Sequence, residues 1–433
     1  MPPGFRSSLL PEFISREEHT MKRICLFAKI ILTVIVIILI GIAALFLAMK
    51  NTDIPKLYLE GDISNMLDKS DVRNVAFTYD DGKQDISGYA EIKIQGSSST
   101  YYTKKNYTLK FFEDKELEDK LKIDVGWGPQ NKYCMKANWI DRTHARNVVT
   151  AKLAAKMQAK YNLLTDAPNN GLIDGFPIEI YDNGRFLGIY TFNIPKDAWQ
   201  FAMDEDNPNH IVIGGEGWDP ANCFKALPDF ETWAVEVGEE SEATLEKMNR
   251  LFDFIINSSD EEFKERFDEY LNLDSALNYY VMADIAYLSD NLGKNMLLAT
   301  YDGMQWYMSL YDLDASWGTD YEGLSLYDYD TRLVRFKNIR LFERMETVFA
   351  QDLAQRYFEL REDVLSNESI MAEFEAFRNQ IPALTFQKEI LRWGDGPIRK
   401  RTELPGAEYD QIEAYLNSVS DRLDEKYSAW LAQ

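Results

Sequence analysis

Leu288 to Gly318 reads LSDNLGKNMLLATYDGMQWYMSLYDLDASWG, and its reading decides the rest of the chain. Two apolar runs flank Asp302-Gly303, a dipeptide that supplies the positive φ values of a hairpin turn. Pairing about that turn brings Asp312 back beside residues 293 to 295, with Asp314 close behind in DLDASWG. One end of the hairpin therefore gathers Asp290, Asn295, Asp312 and Asp314 from three short stretches. Converging carboxylate and amide oxygens suit Mg²⁺ or Mn²⁺, which take oxygen ligands and share their shell with waters or phosphate oxygens. The plainer reading is that the same residues cap a helix and end two strands.

The segment before Asp290 carries Leu277, Tyr280, Val281, Ile285 and Leu288 at helical spacing, so it is expected to pack inward, with Gly293 supplying a left-handed residue after its end. Asp284 falls inside that apolar stripe and reads as a structural charge that needs a partner. Asp290-x4-Asn295, then a hairpin, then Asp314 ahead of Gly318 reproduces the order of a protein-kinase catalytic loop and its metal-binding acidic motif. Asp290 would position the attacking hydroxyl, while Asn295, Asp312 and Asp314 would hold metal. Asp-x4-Asn alone is a weak signal; joined to the hairpin and the Asp-x-Asp it becomes moderately specific.

A nucleotide also needs cations or backbone amides at its phosphates. QGSSSTYYTKKNYTLK offers Ser97 and Ser98 beside a strand, then Lys104, Lys105 and Lys110. Alternation along NYTLKFF sets Tyr107, Leu109 and Phe111 on one face and Lys110 on the other. Simple solvation explains most such lysines equally well. Further on, RTHARNVVTAKLAAKMQAKY repeats Ala145, Val149, Leu153, Met157 and Tyr161 every four residues, an amphipathic helix. Arg146 and Asn147 at its start suit either phosphate binding or capping.

Outward from these motifs, residues 56 to 112 alternate as strands (KLYLEG, VAFTYD, ISGYAEIKIQG, NYTLKFF), and a loop rich in Gly, Pro and Lys follows, ending in YCMKANWID. Phe176 to Asn193 is a second hairpin about Asn183-Gly184, and HIVIGG suits one more strand. Residues 240 to 288 and 337 to 431 read as helices. Strands first and helices later imply an α+β body, with a strand-rich nucleotide-binding lobe over 56–200 and a mainly helical catalytic lobe over 201–433.

The chain of 433 residues has 45% hydrophobic and 13% aromatic residues, enough for a large core. Its formal net charge of −24 excludes nucleic acid as a broad-surface partner. Three scattered histidines make a histidine-rich zinc site unsuitable. Cys134 and Cys223 would form one disulfide only if the fold brings them together. Ile30 to Met49 holds twenty residues without a charge, long enough for a transmembrane helix rather than a signal peptide. Lys22, Arg23 and Lys29 before it place a tail of residues 1–29 in the cytoplasm and the body outside, anchored in the cell membrane by a single pass. Met21 is a plausible alternative start to Met1.

IQGSSSTYYTKKNYTLKF, NWIDRTHARN, YDNGRFLGIYTF and DNLGKN…YDLDASWG follow in the order of the spore coat protein H (CotH) kinase family, which residues 85 to 430 resemble. The resemblance implies an atypical protein kinase using ATP and Mg²⁺ or Mn²⁺ to phosphorylate Ser or Thr in coat or envelope proteins. It implies Asp290 as catalytic, Asn295, Asp312 and Asp314 as metal residues with Asp314 preferred, and Lys105 for ATP, with Lys104 and Lys110 as alternatives. Many relatives carry a Glu after the G-x-Y of the earlier hairpin, where this chain has Asn193 in GIYTFNIPKD. Two other functions compete: an envelope scaffold or adhesion module on a kinase-like fold, and a glycosyltransferase holding metal on its Asp-x-Asp.

Overall fold

Seven strands close into a barrel in the order β1-β2-β3-β4-β5-β7-β6. They are β1 (Lys56–Glu60), β2 (Val72–Asp80), β3 (Asp85–Gln95), β4 (Asn106–Phe112), β5 (Lys132–Lys136), β6 (Gly175–Asp182) and β7 (Arg185–Asn193). The structure, a computed structural model, describes residues 54–323, 336–394 and 405–433, with positions 31, 33, 35 and 36 besides. The barrel follows from period-two alternation, which aims every second side chain inward. Leu57, Phe77, Ile92, Leu109, Tyr133, Ile180 and Phe192 from successive strands meet in one core. At seven strands the interior is narrow enough for side chains to fill it. Antiparallel pairing runs throughout except where β1 lies parallel to β6 and shuts the barrel. The β6–β7 turn has Asn183 at φ 50 and Gly184 at φ 72, the two left-handed residues its sequence predicts.

A second sheet, in the order β11-β10-β8-β9, holds β8 (Ile211–Gly215), β9 (Trp233–Val237), β10 (Met296–Thr300) and β11 (Trp306–Leu310). The β10–β11 hairpin pairs Met296 with Leu310 and Thr300 with Trp306, so Asp312 returns to the level of Lys294. Its turn is fastened by Asp302, whose Oδ1 accepts from Met304 N at 2.7 Å and Gln305 N at 3.0 Å.

The helices are α1 (Arg146–Lys160), α2 (Glu242–Asn257), α3 (Asp260–Tyr270), α4 (Leu273–Ile285), α5 (Arg340–Val348), α6 (Ala350–Arg361), α7 (Asn367–Arg378), α8 (Ala383–Trp393) and α9 (Pro405–Leu431). Most of them share the larger core with the second sheet. Two departures from the sequence reading stand out. The expected single stripe on α1 is nearly all-round burial, with Arg146, Asn147, Thr150 and Gln158 buried beside its apolar residues. Helix α4 is likewise buried at every position from Ser275 to Ile285, and Asp284 is buried with it, as its place inside the apolar stripe implies. Its carboxylate accepts from Lys426 Nζ at 2.6 Å and Tyr427 Oη at 2.8 Å on α9, which supply the partners that a buried charge requires.

Cys134 and Cys223 are both free, so no disulfide joins them. The contacts group Ile54–Gln433 as one unit and Met1–Asp53 as another. Among the described residues no helix is long and apolar enough to cross a membrane. The expected span 30–49 lies outside them, except for Ile31, Thr33, Ile35 and Val36, which are helical.

Candidate active site

Helix α4 stops at Tyr287, which takes φ 57. The left-handed residue expected at Gly293 is therefore supplied four residues after Ala283, whose carbonyl accepts from Leu288 N at 2.9 Å. A short turn, Ser289–Asn291, then presents Asp290. Three bonds hold this loop to rigid neighbours. Asn291 Nδ2 donates to Tyr311 O at 2.6 Å, Asn295 N donates to Gly215 O at 3.0 Å, and Trp317 N donates to Ala286 O at 2.7 Å. The first ties the loop to the strand leading into DLDASWG, the second to β8, and the third brings the end of α4 against that motif.

Within the loop, Asn295 Nδ2 donates to Asp290 Oδ2 at 3.0 Å, and Lys294 Nζ lies 3.9 Å from the same oxygen. This use of the Asn295 N–H leaves its carbonyl oxygen as the side chain's acceptor. Burial pushes the Asp290 carboxyl above its ordinary range; Lys294 opposes the shift and Asp312 adds to it. Asp312 itself sits at φ 59, which turns the chain sharply between the two acids. Asp314 is pushed up to about 8, chiefly by burial and next by Asp312, with Asp290 also raising it. The three acids are thus within electrostatic reach of one another.

A cleft of about 290 Å³ opens over Asp312 and Asp314, with Ser99, Tyr102, Lys136 and Asn147 in its wall. Lys136 ends β5, its Nζ 3.9 Å from Asp312 Oδ1 and 3.3 Å from the Tyr311 hydroxyl. Burial disfavours its charge, but Tyr311 and Asp312 more than offset this and its pKa is raised. Asn147 Oδ1 accepts from Leu313 N at 3.0 Å, locking the residue between the two aspartates against α1.

The other cations expected at a nucleotide are placed differently. Lys104 Nζ donates to Ala137 O at 3.1 Å, to Ile189 O and to Glu389 Oε1 at 2.7 Å, which uses all three of its protons away from the acids. Lys110 projects from the barrel's outer face and pairs with Glu91, its neighbour across β3 and β4, at 3.4 Å. Lys105 donates to Thr100 O at 2.5 Å, bracing the turn Ser98–Tyr101. Arg146 is buried, donating from its backbone N to Asp141 Oδ2 at 2.8 Å, from Nε to Ser316 O at 3.1 Å and from its guanidinium to Asp141 and Gln411. It fastens DLDASWG to α1 and α9. Ser97 is exposed and its carbonyl accepts from Thr100; the side chain of Ser98 lies outside the described residues, and Ser99 is the serine that reaches the cleft.

Lys136 is absent from the sequence candidates because YCMKANWID reads as the end of a loop. A signal was there: Tyr133 and Met135 are core residues and Cys134 and Lys136 alternate with them, a five-residue strand pattern. Gly215 was missed too. A Cβ on it would fall 1.9 Å from Gly293 O, so the Asp290 loop can close on β8 only over a glycine. Asn193 is fully buried, and neither of its amide atoms has a partner among the described residues.

Among the described residues no three His, Cys, Asp or Glu side chains are placed to hold a metal ion together. The donor set still fits Mg²⁺ or Mn²⁺, which one or two carboxylates commonly hold with the remaining positions left to waters and phosphates. Asp312 raises the cost of ionising Asp314 and Lys136 opposes it, and the excess of negative charge is one that a divalent cation relieves.

A mixed α+β body with paired aspartates and a strand lysine lining one cleft, and an Asp–Asn loop within electrostatic reach of the aspartates, is the layout of a kinase-like protein. A family model described as CotH kinase protein matches residues 92–423, and the chain belongs to that family. No curated protein matches the chain.

Proposed function

We propose that this protein is an ATP- and divalent-metal-dependent kinase that phosphorylates Ser or Thr of envelope or coat proteins from an extracytoplasmic, membrane-anchored position. The observation that carries the reading is the cleft lined by Asp312 and Asp314 from the hairpin end and Lys136 from the barrel, with Asp290 on the adjoining loop within electrostatic reach of both aspartates. A divalent metal, when bound, supplies charge neutralisation at the phosphates, with Asp312, Asp314 and the free amide oxygen of Asn295 as its holders. Lys136, beside Asp312, would meet the phosphates of a bound nucleotide in the role of a kinase strand lysine. The substrate hydroxyl oxygen attacks the γ-phosphorus, the bond to ADP breaks, and Asp290 takes the hydroxyl proton. Its raised pKa suits a group that must accept and then release a proton.

The test is thermal unfolding of the full-length chain with ATP and Mg²⁺ or Mn²⁺, followed by phosphoryl transfer to a Ser/Thr protein substrate. Ligand at about a hundred times its dissociation constant adds about 2.7 kcal/mol. Asp314→Ala is expected to lose the metal-dependent rise, and Asp290→Ala to keep it while losing transfer. Retained ATP binding with no transfer by the unmodified chain would favour a scaffold on a kinase-like fold. No rise on folded protein with either metal would remove the nucleotide reading altogether.

A further inference from the structure

In protein kinases the strand lysine works only when an ion pair with a helix glutamate holds it in place. The helix that follows Lys136 is α1, Arg146–Lys160, and it contains neither Asp nor Glu. Its residue at the cleft is Asn147, whose Oδ1 is taken by Leu313 N at 3.0 Å. Among the described residues, the one carboxylate in ion-pair reach of Lys136 Nζ is Asp312, at 3.9 Å, too long for a hydrogen bond. The lysine is therefore oriented by something other than a helix acid.

What holds the ammonium is Tyr311. Its hydroxyl accepts from Lys136 Nζ at 3.3 Å, and its ring centroid lies 5.2 Å from the same nitrogen, within cation–π range. Tyr311 is itself fixed from several sides. Its carbonyl accepts from Asn291 Nδ2 in the Asp290 loop at 2.6 Å, and its hydroxyl meets Gln95 Nε2 at the end of β3 at 3.4 Å. Lys196, which follows β7 and pairs with Glu236 of β9, places its Nζ 4.7 Å from the ring centroid. A phenol suits the task because it orients a cation without neutralising it. Lys104 spends every proton on a carboxylate and two carbonyls. Lys136 gives one proton to Tyr311, and its remaining N–H groups have no hydrogen-bond partner among the described residues, which leaves them for phosphate oxygens.

We infer that Tyr311 is the positioning residue of Lys136, doing with its hydroxyl and ring what a helix glutamate does in other kinases. The inference rests on the kinase reading for the role of Lys136. Tyr311 directly precedes Asp312, so one strand end sets both the lysine and the acidic pair, and a shift of that end moves them together.

The experiment is a double-mutant cycle on the full-length chain, with Mn²⁺–ADP affinity read by calorimetric titration and folding by thermal unfolding. Tyr311→Phe keeps the ring and removes the hydroxyl. It should weaken nucleotide binding about tenfold, the worth of one hydrogen bond to a charged group. Tyr311→Leu, which also removes the ring, should weaken it further. In a Lys136→Met background neither change should have a further effect, because the group that Tyr311 positions is gone. Parent affinity in folded Tyr311→Phe, or losses that simply add in the cycle, would make Tyr311 structural and overturn the inference. Trace acetylation followed by mass spectrometry reads the contact without nucleotide. Labelling of Lys136 should rise severalfold in folded Tyr311→Leu, with exposed Lys110 as the unchanged control. A parent chain that binds no nucleotide sinks the kinase reading; Lys136 labelling unchanged in Tyr311→Leu sinks the positioning role on its own.

Discussion

Replacing Lys104 by Met separates a lysine that holds the fold from Lys136, the one proposed to face ligand. Lys104 is 2% exposed and its ammonium is bound to Glu389 Oε1 at 2.7 Å and to the carbonyls of Ala137 and Ile189. Truncating one member of a buried ion pair leaves the other charge uncompensated, at a cost of about 3–5 kcal/mol. Two carbonyls also lose a donor, which places Lys104→Met toward the upper end of that range. Urea unfolding measures the loss, and calorimetric titration with Mn²⁺ and ADP on the folded protein measures the site. Nucleotide affinity should stay within about twofold of the parent, because none of these partners lines the acidic cleft. The double variant Lys104→Met/Glu389→Leu should be more stable than Lys104→Met, since replacing a whole buried pair costs far less than breaking it. Lys136→Met should give the opposite pattern, with nucleotide affinity falling at least tenfold. A Lys104→Met protein as stable as the parent but at least tenfold weaker for nucleotide would refute the assignment.

Gly215→Ala should impair phosphoryl transfer without altering any ligand-facing side chain: its Cβ meets Gly293 O at 1.9 Å, and the loop must shift or the protein lose about 1–3 kcal/mol. Thermal unfolding and transfer rate together read both. His144 gives a pH signature. Its pKa is lowered well below 6.5 by burial, with Lys104 adding to it, so below about pH 6.5 the unfolded chain binds a proton that the folded chain does not. Stability therefore falls as pH drops through that value, by up to about 1.4 kcal/mol per pH unit from this one group. His144→Phe should flatten the slope between pH 6.5 and 5.5, and an unchanged difference between the two proteins would contradict it.

Local patterns determined what local chemistry governs. Period-two alternation in β1 to β4, the Asn183-Gly184 and Asp302-Gly303 turns, and the register that returns Asp312 to residue 294 are set by nearest neighbours along the chain. That is why the grouping of Asp290, Asn295, Asp312 and Asp314 was legible before any coordinates. The cations were not, because a lysine's role depends on what closes around it. Lys104 and Lys105 are adjacent in sequence, yet one is sealed against Glu389, 285 residues away, and the other braces a carbonyl five residues back. Lys136 became a candidate only when β5 joined the barrel and the hairpin delivered Tyr311 and Asp312 to it. The same holds for the partners of Asp284, which come from α9. Strand period and turn type are written in short stretches; which charge is desolvated, and by whom, is a property of packed surfaces that the chain makes only on folding.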